Sequence, residues 1–154
     1  MRNVALTVRI PVRDARAALT RIAEFDRYPT LATDVREVRS RPGGSDWVVH
    51  FRRGLLRWTE RDTVEHGRLR IGFEQVTGDF ATFSGCWQLV PGLRGCVVRF
   101  TAAWDFGIDS MAGIMDPIAE RVIKRVVCDV LTGLFGPTTV IEGGEALTDL
   151  ERVA

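Results

Sequence analysis

Lysine is nearly absent from this chain: of 21 basic residues in 154, only Lys124 is not an arginine. We read that bias as the signature of GC-rich coding rather than of function. Basic and acidic residues nearly cancel, and a formal net charge of +1 argues against a dedicated binder of nucleic acid or acidic membranes. Histidine is scarce too. His50 falls at an outward strand position and His66 in a turn, so both read as surface side chains rather than a general base. The three cysteines are odd in number and lack metal-ligand spacing, which leaves a reduced, cytoplasmic protein without a bound metal as the default. No nucleophile elbow or phosphate-binding glycine loop is present. Gly143-Gly144 has no preceding strand and no following Lys-Ser/Thr pair, so it reads as a flexible break. No charged-then-apolar leader opens the chain, and no apolar run approaches membrane-spanning length.

What is present is an ordinary globular composition, 45% apolar and 27% charged, in a length that suits one domain with a sizeable core. Its clearest element is a helix over Asp116 to Phe135. Asp116-Pro117 supplies an acceptor at the cap and then a ring whose missing N–H costs nothing at the first helical position. Ile118, Val122, Ile123, Val126, Val127, Val130, Leu131, Leu134 and Phe135 follow at helical period, with Glu120, Arg121, Lys124, Arg125 and Asp129 on the other side. Gly136-Pro137 stops it. Six of those nine apolar residues are β-branched, so burial under a concave cover must hold the helix.

The rest of the chain supplies that cover. Asn3 to Ile10 alternates as a half-buried strand. Asp14 to Glu24 patterns as a short helix, and Tyr28-Pro29 implies a second helical turn within Phe25 to Leu31. Strands follow at Val35 to Arg41, Trp47 to Arg52, Leu55 to Val64, Arg68 to Val76, Phe80 to Val90 and Cys96 to Phe106. Short connections make them antiparallel. The expected architecture is α+β: a seven-stranded antiparallel helix-grip sheet around the C-terminal helix, with two short helices between its first two strands. Residues 1–137 form the domain, and residues 138–154 are expected as a tail with a weak helical pattern from Glu145 to Val153.

Loop lengths then set the facing pairs. Trp87 falls across from Phe100 and Phe83 across from Trp104. A three-residue loop at Thr77 to Asp79 sets Phe83 across from Phe73 and Trp87 across from Leu69. The inner face becomes an aromatic wall, which serves equally as a closed core or as one side of a ligand cavity. Leu55 to Val64 admits two registers. A two-residue turn at His66-Gly67 points Trp58, Glu60 and Asp62 inward beside Gln75 and Phe73; a three-residue loop points Arg57, Thr59 and Arg61 inward. Either places ionisable groups against an apolar interior, where they need partners or a ligand.

Trp58-Thr59-Glu60-Arg61-Asp62, the run from Phe73 to Phe80, Gly85-Cys86-Trp87-Gln88-Leu89 and Phe100 to Phe106 resemble the polyketide cyclase/dehydrase group of the START, or Bet v 1-like, superfamily. Ala23 to Leu31 resembles the family segment in which a Tyr-Pro or Trp-Pro precedes the second strand. The resemblance spans about Asn3 to Phe135 and implies the same helix-grip fold. Two branches fit it. One is the aromatase/cyclases, which fold a poly-β-ketone delivered by an acyl carrier protein and promote aldol closure and dehydration without a cofactor. The other is the coenzyme Q-binding branch, which holds a hydrophobic ligand without known chemistry. By this resemblance Arg61 binds or polarises a ketone or enolate oxygen, as an always-cationic donor can. Glu60 or Asp62 serves as acid or base. Tyr28 either offers a phenol at the cavity mouth or packs beneath the helix. Trp58, Phe73, Gln75, Phe83, Trp87, Phe100 and Trp104 shape the substrate. Trp104 takes the position where some cyclases carry a polar catalytic residue, and it has no proton-transfer role.

Overall fold

The computed structural model describes residues 1–147. The expected helical pattern at Glu145 to Val153 falls largely outside them. Strand β1 (Arg2–Ile10) leads into α1 (Ala15–Ile22), a 3-10 turn at Phe25–Arg27, and the single turn α2 (Tyr28–Leu31). Asp14 caps α1 by accepting from the Ala17 amide at 3.0 Å. A meander follows: β2 (Val35–Arg41), β3 (Gly44–Phe51), β4 (Gly54–Glu65), β5 (Arg70–Gly78), β6 (Thr82–Val90) and β7 (Cys96–Asp105). Helix α3 (Asp109–Phe135) then crosses the inner face, and β8 (Thr139–Glu142) closes the described chain. Every neighbouring pair in the sheet is antiparallel, in the order β2-β3-β4-β5-β6-β7-β1-β8. The helix-grip architecture read from the patterning is the one observed.

The sheet has eight strands, not the expected seven. The extra one comes from the segment expected as a tail: β8 adds to the free edge of β1, pairing Thr139 with Arg9 and Glu142 with Thr7. Gly143 makes this contact. It sits at φ +85°, and a Cβ there would collide with the Ala5 carbonyl, so the glycine permits a close backbone approach rather than a flexible break. The added strand also changes α3. Lys124, expected on the polar side, is only 4% exposed, because its Nζ donates to the Gly143 carbonyl and to Glu120 Oε2, both at 2.8 Å. Arg2 Nε donates to the other Glu120 oxygen at 3.0 Å, tying α3 to β1 as well.

Helix α3 starts seven residues before Asp116, with Pro117 inside it. The Asp-Pro pair mimics a start because proline is free of cost at the first helical position. Here the Asp116 carboxylate does not cap; it accepts the Trp104 indole N–H at 3.1 Å. Met115 and Ile118 pack against the core on either side, offsetting the helical bond that Pro117 lacks. None of residues 109–118 is buried, so this first part of α3 is the loosely held part.

Trp87 faces Phe100 and Phe83 faces Trp104, as expected. Between β5 and β6 the pairing is two residues away from expectation, with Phe73 opposite Gly85 and Trp87 opposite Ile71. The cause is a wider connection: Gln75 Nε2 reaches the Phe80 carbonyl at 2.9 Å, and the Phe80 ring turns in to stack on Phe83 at 4.5 Å. A shift of two keeps every side chain on its face. Leu69 ends in a left-handed turn instead of the wall.

Gly143→Ala is expected to cost about 1–3 kcal/mol, through a forbidden φ and a backbone collision together. Urea unfolding checks it; an unchanged midpoint would mean that β8 is not docked on β1 in solution.

Candidate functional site

Strand β4 carries the ionisable groups of the interior. Its connection to β5 is four residues long, pairing Glu65 with Arg70 and Asp62 with Phe73. That length has the parity of the two-residue alternative, so Trp58, Glu60 and Asp62 point inward and Arg57, Thr59 and Arg61 outward. The same register sets Gln75 beside Glu60, and a one-residue bulge at Val76 follows before Thr59 pairs with Thr77.

On the other side β3 pairs Trp47 directly with Trp58 and Ser45 with Glu60. The two indoles stack, with ring centres 5.6 Å apart and 5° between planes. Their N–H groups diverge into one polar network. Trp58 Nε1 donates to Glu60 Oε1 at 2.7 Å, Trp47 Nε1 to Ser45 Oγ at 2.8 Å, and Ser45 Oγ in turn to Asp62 Oδ2 at 2.6 Å. Glu60 is 4% exposed and has no cationic partner among the described residues. Burial first, then its hydrogen bond to Asp62 and the Asp62 charge, push its carboxyl well above the usual glutamate range, against a smaller opposing effect from Trp58. The surroundings of Glu60 therefore favour its neutral, proton-bearing form. The Asp62 Oδ1 atom is buried without a hydrogen-bond partner.

Around this pair lies the aromatic wall. Tyr28 touches Trp47 and Trp87 edge-on at 5.5 and 6.4 Å, Trp87 meets Phe100 at 5.0 Å, and Phe73 contacts both Phe83 and Phe100. Between the wall and α3 is a cavity of about 60 Å³, roofed by Val122, Ile123, Val126 and Val127. Glu60, Tyr28, Trp58, Phe73, Phe83, Trp87 and Phe100 all line it. It holds about two waters. A drug-sized ligand needs roughly 300–1,000 Å³, so entry requires α3 or its valines to move.

Not every expected residue is here. Arg61 lies on the outer face, its side chain 66% exposed and 3.9 Å from Glu74, and it cannot reach the interior. The even β4–β5 connection decides that. Trp104 is fully buried, but it sits under the early part of α3 and is bonded to Asp116, away from the cavity lining. Gln75 likewise spends its amide on Phe80 and does not line the cavity, leaving Oε1 buried without a partner. The Tyr28 hydroxyl donates to the Ile22 carbonyl at 2.6 Å, so the phenol packs beneath the helix and is held there. Burial, and then the charges of Glu60 and Asp62, push it far above its ordinary range, so it stays neutral. Sequence reasoning missed Ser45, Trp47 and Phe25. The alternation Ser45, Trp47, Val49 was the available signal for the first two. Among the described residues no group of three or more His, Cys, Asp or Glu is placed to hold a metal, and no helix is long and apolar enough to cross a membrane.

A concave antiparallel sheet gripping a long helix, with a small aromatic cavity between them, defines the helix-grip class of domain. Solved structures of that class superpose on it. A protein of Thermus thermophilus matches with a TM-score of 0.74 and 22% identity over 86% of this chain and 94% of its own. A START superfamily protein from Mycobacterium smegmatis gives 0.72 and 14% over 86% and 96%. The Zhui aromatase/cyclase from Streptomyces sp. R1128 gives 0.65 and 19% over 97% and 95%. At these identities the likeness is one of fold. No curated protein matches the chain in sequence. Residues 13–131 match the family described as polyketide cyclase / dehydrase and lipid transport. The chain belongs to that family.

The raised Glu60 carboxyl carries a pH signature. Between about pH 4.5 and its folded pKa, the folded state binds a proton that the unfolded state has lost, so stability falls as pH rises. The slope is at most about 1.4 kcal/mol per pH unit. Glu60→Gln keeps a donor for Asp62 and cannot ionise. Its stability relative to the parent should therefore grow from pH 5 to pH 8 in paired denaturation curves; a constant difference would mean that Glu60 titrates normally.

Proposed function

We propose that this protein binds a flat, hydrophobic, carbonyl-bearing small molecule against the aromatic wall and promotes its aldol closure and dehydration, with Glu60 as the acid. The observation that carries this reading is the buried Glu60 carboxyl, without a cation and held well above its usual range, lining an otherwise apolar cavity. A closed core gains nothing from an unpaired carboxyl pair, and a carboxyl made neutral by its surroundings is the acid that carbonyl chemistry needs at pH 7. In the closure step Glu60 gives its proton to the ketone oxygen as the enol carbon attacks, and its carboxylate takes the proton from the enol oxygen. In the dehydration the acid protonates the leaving hydroxyl and the carboxylate removes the α-proton. Each step regenerates the acid and requires no cofactor. Trp58, Phe73, Phe83, Trp87 and Phe100 would press the chain flat. Family membership and the fold shared with an aromatase/cyclase support this reading. The polyketide would reach the site on an acyl carrier protein.

The second reading is a carrier that binds a quinone, lipid or natural product without changing it. The outward direction of Arg61 favours it, because among the described residues no cation then lines the cavity to meet an enolate.

One experiment separates the two. Supplied with a poly-β-ketone by a reconstituted synthase, the parent should shift products toward the cyclised, dehydrated form, and Glu60→Gln should lower that flux by about 100-fold or more. Equal product profiles with and without the protein, together with a hydrophobic ligand in the mass spectrum of an extract, would favour the carrier. Equal profiles and an empty protein would sink both readings.

A further inference from the structure

Where α3 passes the β3–β4 hairpin, a second recess of about 250 Å³ opens to solvent. Its polar lining is mostly arginine: Arg52 from the hairpin beside His50, and Arg121 and Arg125 from α3, with Asp34 as the one acid. Arg125 and Asp34 neutralise each other through a bidentate pair, Nε to Oδ2 at 2.6 Å and Nη2 to Oδ1 at 2.9 Å. Arg121 uses only Nε, on the Pro117 carbonyl at 3.3 Å, and the Arg52 side chain has no hydrogen bond or ion pair among the described residues. Two guanidinium groups, charged at any physiological pH, thus line one recess with donors to offer and no acid left to meet them. Arg52 also holds a left-handed backbone, φ 58°, at a hairpin tip where glycine or asparagine is the usual choice.

The recess is next to the interior. Val122 lines both it and the aromatic cavity, so the two spaces meet at that side chain. We propose that the recess holds the anionic end group, carboxylate or phosphate, of an amphiphilic ligand whose apolar part passes Val122 into the interior. This rests on the interior being a ligand cavity, and it adds the charge class of that ligand. It also gives the cavity, which no cation lines among the described residues, a basic site at its mouth. The planar guanidinium fork matches either oxyanion.

Titrations of dodecanoate, dodecyl phosphate and dodecanol below their micellar concentrations, at pH 8, test this through the fluorescence of Trp47, Trp58 and Trp87. At least one anion should bind about tenfold tighter than dodecanol, and the R52Q/R121Q double variant should bring it to the dodecanol level. The tighter anion identifies the end group. Equal affinity for all three ligands, or an anion preference that survives in the double variant, would overturn the inference and leave the cavity reading standing. If none of the three binds, the cavity reading fails and this inference fails with it.

Discussion

Strand β4 can bury only one of its faces, and which one is decided by the parity of the connection to β5. Trp58, Glu60 and Asp62 lie on one side, and Arg57, Thr59 and Arg61 on the other. With the acidic face inward, the Glu60 carboxyl enters a space walled by aromatic rings with Asp62 beside it, and desolvation first, then Asp62, raise its pKa. The network follows from that single constraint. Trp47 and Trp58 stack because β3 sets them opposite each other, and their indole N–H groups, with Ser45, are the donors that make the burial tolerable. One proton shared toward Asp62 completes it. The opposite parity would have buried two arginines with no acid to meet them.

Helix α3 acts as the roof and contributes no polar group to the cavity. Val122, Ile123, Val126 and Val127 are all aliphatic. Its anchoring is uneven along its length. From Ala119 onward it is buried and cross-tied, through Glu120 and Lys124 to β1 and the start of the tail and through Arg125 to Asp34. Before that it carries Pro117 and no buried residue. A cavity of about 60 Å³ can grow only by moving something, and the weakly held first part of α3 reaches the cationic recess at Ile118, one turn before the roof begins at Val122. Ligand charge, entry and interior chemistry thus meet around Val122.

The charge pattern divides the same way. Acidic groups without cations lie inside, and arginines without acids lie at the mouth. A ligand that is anionic at one end and carbonyl-bearing along its length would satisfy both. Such a division does not show in a net charge of +1, because it depends on which side of each strand a residue occupies.

Much of this was legible from the residues. Alternation and helical period depend only on local sequence, so the element order, the aromatic wall and the apolar stripe of α3 follow from it directly. The pairing of Trp87 with Phe100 did too, since one short loop sets it. The tertiary structure alone decided what depends on long-range partners. Arg61 and Glu60 are neighbours with equal claims in sequence, and only the β4–β5 register sends one to solvent and the other inside. Asp116-Pro117 is as good a helix start as any, until Trp104 claims the aspartate. Residues 139–142 are too short a run to announce a strand, and become one because β1 has a free edge and Gly143 lets the backbones meet. The recess at Arg52 and Arg121 joins residues 69 positions apart, brought together by the helix crossing the hairpin. Local pattern determines which faces are apolar; the packing of distant segments determines where the leftover charges must go.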